Sequence, residues 1–65
     1  MMTRTSEGTY TVDAIFPRTW KGWNVWAESG LDALNQVEKM AQDWAKENIN
    51  DPKDRTFRLE IVVRP

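Results

Sequence analysis

Val25-Trp26-Ala27-Glu28-Ser29-Gly30-Leu31-Asp32-Ala33-Leu34 is the stretch in which the apolar spacing of this 65-residue chain changes period. Up to Ala27 the spacing is two, with Trp23, Val25 and Ala27 on one side and Asn24, Trp26 and Glu28 on the other, as a half-buried strand requires. Beyond Ser29 the spacing becomes helical. A Ser hydroxyl can accept from the first-turn N–H groups, and Asp32, three positions later, complements it and the helix dipole, so a helix is expected to start at Gly30. At 100° per residue, Ala33, Leu34, Val37, Met40, Ala41, Trp44, Ala45 and Asn48 fall within an arc of roughly 140°, the width of a core-facing stripe. Polar residues fill the rest, and Trp44 and Met40 read as packing residues.

On the N-terminal side, Thr9 to Phe16 alternates, with Tyr10, Val12, Ala14 and Phe16 facing in and Thr11, Asp13 and Ile15 facing out. Pro17-Arg18-Thr19-Trp20-Lys21-Gly22 carries turn residues at both ends, so a hairpin loop is expected there. On the C-terminal side, Asn48 to Asp54 contains Pro52 and ends the helix. A last strand is expected over Thr56 to Val63, with Phe57, Leu59, Ile61 and Val63 inward and Arg58, Glu60 and Val62 outward.

Strand, strand, helix, strand has few compact solutions, because the helix must lie on the sheet. The expected fold is α+β, a ββαβ unit whose three-stranded antiparallel sheet has the order 2-1-3, with one amphipathic helix on one face. Residues 1–8 read as a polar arm and 9–65 as a single domain.

A chain this short buries only about 60% of the surface its unfolded form exposes. Without cysteine it has no disulfide or thiolate-metal staple, so four tryptophans must supply much of the packing. Nine basic and ten acidic residues do not build the positive field typical of phosphate-binding proteins. No apolar run approaches the roughly 20 residues of a membrane span, and the first residues lack a signal-peptide apolar region, so a cytoplasmic location is expected.

The absence of histidine and cysteine removes the usual neutral-pH bases, activated nucleophiles and soft-metal ligands. Asp13, Glu28 and Glu60 are expected on the solvated face, free or paired with a cation such as Arg58. Gly8, Gly22 and Gly30 are isolated and form no phosphate loop. Asp51-Pro52-Lys53-Asp54 lacks the ligand pattern of a calcium loop. A protein that is not an enzyme, with no cofactor and no metal, is expected.

Two surfaces stand out. In the hairpin, Arg18, Trp20 and Lys21 set cations beside aromatic rings, a pairing that suits phosphate contact with base stacking; Arg55, Arg58 and Arg64 add charge from the chain's end. On the outer sheet face, Ile15, Trp26 and Val62, with Trp20 beside them, form an apolar cluster among Thr11, Asp13, Asn24, Arg58 and Glu60, as in a protein interface. The candidate partner-binding residues are thus Ile15, Arg18, Trp20, Lys21, Trp26, Arg58 and Val62. The leading expectation is a protein-interaction module. Nucleic-acid binding through the basic-aromatic hairpin is an alternative, and so is a homodimer, built by its outer faces or by its open sheet edges.

Val25, Ala27, Ser29, Ala33 and Leu34 form the arrangement V-x-A-x-S-x-x-x-A-L, which resembles small ββαβ accessory proteins encoded by tailed bacteriophages. The resemblance implies binding and modulation of a host or phage protein, as an inhibitor or adaptor in the bacterial host cytoplasm. It transfers no residue-level role.

Overall fold

In the computed structural model, which describes residues 7–62, the chain runs β1 (Gly8–Ile15), β2 (Trp20–Ala27), α1 (Gly30–Asn48), a 3₁₀ turn (Pro52–Arg55) and β3 (Arg58–Val62). The sheet is antiparallel with the order β2-β1-β3, the expected ββαβ arrangement. Most of the expected N-terminal arm (residues 1–6), Val63 at the end of the expected last strand, and Arg64 beyond it lie outside the described residues; β1 itself takes in Gly8.

The hairpin is tighter than its composition implies. Instead of a loop over Pro17 to Gly22, β2 begins at Trp20, and Ile15 lies opposite Trp20. The Phe16 N–H donates to the Thr19 carbonyl at 2.8 Å, leaving Pro17 and Arg18 as the turn. Among the described residues none other than glycine has a positive φ, so the turn is not one of the primed types usual in two-residue hairpins. The fixed φ of Pro17 serves it instead. Gly22, which reads as a loop residue, is a strand residue opposite Asp13; a Cβ there would lie 2.7 Å from Asp13 Oδ1 and 3.6 Å from Trp20 Cζ3. A Cβ at this position would displace the Asp13 carboxylate and only touch the Trp20 indole.

α1 starts where the serine predicts. Ser29 Oγ accepts from the Asp32 N–H at 3.1 Å, and Asp32 Oδ2 accepts from the Glu28 N–H at 3.2 Å, a capping arrangement displaced by one residue. At the other end the Ile49 N–H reaches the Ala45 carbonyl, and Asn48, expected on the apolar arc, is exposed and donates its amide to Trp44 O. The helix contributes Ala33, Val37, Ala41 and Ala45 as its buried ridge. These i, i+4 residues are nearly all small, so the helix seats closely on Val12 and Ala14, both fully buried. Larger side chains close the margins. Trp23 meets Trp44 edge-on at 6.4 Å, and Phe16 lies 5.4 Å from Trp44 and 5.2 Å from Phe57. Two small clusters result, one around Val12 and Val37 and one around Ala14 and Phe16, bridged by Trp23 and Leu59.

Beyond the helix, Asp51 Oδ1 accepts from the Lys53 N–H and caps the 3₁₀ turn, which replaces part of the expected loop. Arg55 Nε donates to the Ile49 carbonyl at 2.8 Å and fixes this turn against the helix end. β3 starts at Arg58, two residues later than the expected Thr56, because Thr56 and Phe57 leave the turn before pairing with β1 begins at Ile15. Among the described residues no helix is long and apolar enough to cross a membrane.

Candidate functional site

The register fixes the face that the helix leaves uncovered. Directly opposed residues point to the same side of a sheet. One transverse row of that face is therefore Trp20, Ile15 and Arg58, the next Gly22, Asp13 and Glu60, the next Asn24, Thr11 and Val62, and the last Trp26 and Thr9. Trp20 is 64% and Trp26 59% exposed.

These rows bring together only some of the expected residues. Ile15, Trp20 and Arg58 are neighbours at the hairpin end. Trp26 sits six residues further along β2, about 20 Å away, so the expected continuous cluster of Ile15, Trp26 and Val62 is divided. The centre between its ends is polar: Thr11 Oγ1 donates to Asn24 Oδ1 at 2.7 Å, and Asp13 and Glu60 flank this pair. Val62 is half-buried opposite Thr11.

The cations are also dispersed. Arg18 projects from the turn and its Nε lies 3.4 Å from Asp54 Oδ2. Lys21, opposite Ala14, points to the helix side, with Nζ 5.8 Å from the Trp23 ring centre. Lys21 and Trp20 thus occupy opposite faces, which a loop spanning both would not have required. Arg58 Nε pairs with Glu60 Oε2 at 3.1 Å along its own strand. Arg55 is engaged by the carbonyls of Ile49 and Asn50. The alternation of ring and free cation that suits a nucleic-acid backbone is not assembled around Trp20; Arg64 lies outside the described residues.

What the fold does assemble is a shallow groove of about 300 Å³ at the hairpin end, lined by Ile15, Phe16, Pro17, Thr56, Phe57 and Arg58. Ile15 and Arg58 belong to the Trp20 row, so the exposed indole and the groove adjoin, and the groove lining is apolar except for Thr56 and Arg58, the latter paired with Glu60. Sequence reasoning missed Pro17, Thr56 and Phe57 as groove residues. Their signal was the pair of short irregular segments that the register of β1 and β3 sets side by side.

Trp20 is also held in place. Its ring edge lies over Gly22, and Ile15 flanks it from the neighbouring strand. An indole seated on a strand loses less freedom on binding than one on a mobile loop, which favours affinity. The surface offers shape and apolar area, with hydrogen-bonding groups at the rim, and among the described residues no group of three or more Asp or Glu side chains stands close enough to hold a metal ion. Comparison with protein-family models, with curated proteins and with solved structures finds no match.

Proposed function

We propose that this chain is a non-enzymatic protein-binding module that takes an apolar segment of its partner against Trp20, Ile15 and the groove beside Arg58. The observation that carries the reading is the exposure of Trp20 and Trp26, 64% and 59%, on the face opposite the helix. Tryptophan is the residue most enriched at binding hot spots, and an exposed ring beside a groove matches a hot spot before its partner arrives. Trp26, at the far end of the same face, extends the footprint across the Thr11–Asn24 centre. The resemblance of residues 25–34 to phage accessory proteins supports a host or phage protein as the partner, met in the bacterial cytoplasm, with inhibition or adaptation as the outcome.

The test is affinity capture from bacterial lysate with three immobilised chains: wild type, Trp20→Ser and Lys39→Ala, the last changing only the exposed helix surface. The proposal expects a protein retained by wild type and by Lys39→Ala and lost with Trp20→Ser. Identical retention by all three chains, or no specific retention by any, would refute it.

A further inference from the structure

Among the described residues the two outer strands each leave one edge unpaired, and the edges differ. The Phe16 N–H to Thr19 O bond places the hydrogen-bonded β1–β2 pairs at Phe16, Ala14 and Val12. Successive residues of a strand direct their N–H and C=O groups to opposite sides, so Ile15, Asp13 and Thr11 bond instead to Arg58, Glu60 and Val62 of β3. The backbone groups at the open edges are then those of Trp20, Gly22, Asn24 and Trp26 on β2, and those of Leu59 and Ile61 on β3; Phe57, just before β3, would have to extend the strand by one residue to join them.

The β2 edge is guarded. Gln36 Nε2 donates to the Trp26 carbonyl at 3.0 Å, which also agrees with the phase just derived. Lys21 places a cation on the helix side of the same strand, and an inward-pointing charge is a known device against edge pairing. β3 carries no charge on its helix side, where Phe57, Leu59 and Ile61 follow one another; Phe57 and Leu59 are half-buried and Ile61 is 36% exposed. Its charges, Arg58 and Glu60, both stand on the outer face, with side chains 69% and 51% exposed.

We propose that β3 pairs antiparallel with β3 of a second copy about a two-fold axis through Leu59, joining two three-stranded sheets into one six-stranded sheet. In this register Leu59 faces its counterpart, Phe57 faces Ile61, and Arg58 faces Glu60, the last two pairs occurring twice by symmetry. Phe57, Leu59 and Ile61 use the open N–H and C=O groups, on the order of six hydrogen bonds in all. Arg58 and Glu60 fall at the closely spaced pairs, where side chains approach most nearly. Moving the axis by one residue sets Glu60 against Glu60 or Arg58 against Arg58, and like charges directly opposite are destabilising. A shift of half a residue mismatches the open backbone groups. Charge complementarity and hydrogen-bond phase therefore select the same register. The apolar helix-side row of β3 is covered, and both outer faces remain on one side of the joined sheet, presenting Trp20 twice.

This inference does not rest on the partner-binding reading, because Trp20→Ser should leave the dimer intact. The experiment is sedimentation analysis over a concentration series for wild type, Arg58→Glu, Glu60→Arg and an equimolar mixture of the two variants, each checked for native fold by far-ultraviolet circular dichroism. Wild type should reach the dimer mass, each variant alone should fall to half of it, and the mixture should recover the dimer. In the mixture each chain carries two like charges on β3, so only pairing between chains restores complementarity. A monomeric wild type, variants that remain dimeric, or a mixture that stays monomeric would overturn the proposal. Dimers that survive both substitutions would point instead to the outer faces or the β2 edge.

Discussion

Replacing Phe16 by Ala should remove half or more of the stability of this domain. Phe16 is 4% exposed, and its ring lies 5.4 Å from Trp44 and 5.2 Å from Phe57, so it joins the end of the helix to the start of β3. Truncating a buried Phe costs about 3–5 kcal/mol. At roughly 0.05–0.15 kcal/mol per residue, a chain of this length has a total stability of about 3–10 kcal/mol. The loss is comparable with the whole at the lower end and half of it at the upper. The cost should sit high in its range, because the two neighbours are large rings fixed on different elements and cannot both collapse into the space. Urea denaturation followed by far-ultraviolet circular dichroism should show the midpoint falling to about half the wild-type value or lower, or a chain already unfolded without denaturant. A loss below about 1 kcal/mol, the cost typical of less critical sites, would refute the placement of Phe16 between helix and β3.

Other consequences follow from the same packing. Ala41 is fully buried on the small-residue ridge, so Ala41→Leu should lift the helix from the sheet and cost about 1–3 kcal/mol, measured by the same denaturation. Ser29→Ala should remove the acceptor for the Asp32 N–H and cost about 1 kcal/mol, with the faster amide hydrogen exchange confined to the first turn of α1.

Much of this architecture was legible because each element carries its own period. Alternation in Tyr10, Val12, Ala14 and Phe16, the helical stripe from Ala33 on, save Asn48 at its end, which is exposed, and Ser29 as the cap required no tertiary information. The outer face was legible only as a list of residues. Which of them touch depends on register, and register depends on a turn of two residues, Pro17 and Arg18, that composition read as six. The misleading residue was Gly22, which reads as a turn residue but stands in β2 opposite Asp13. Once Trp20 joins β2, Lys21 must turn to the helix side, and Trp26 is carried away from Ile15. The groove lay further out of reach, because it forms from Pro17 and Thr56 to Arg58, segments nearly forty positions apart in sequence.

The central claim is that the helix shelters Trp23 and Trp44 while the opposite face leaves Trp20 and Trp26 open. Nuclear magnetic resonance of the four indole N–H groups with a soluble paramagnetic probe tests it most directly. Strong attenuation of the Trp20 and Trp26 signals is expected, with those of Trp23 and Trp44 comparatively protected. Attenuation of Trp44 equal to that of Trp20, or protection of Trp20 in the monomeric free chain, would contradict it.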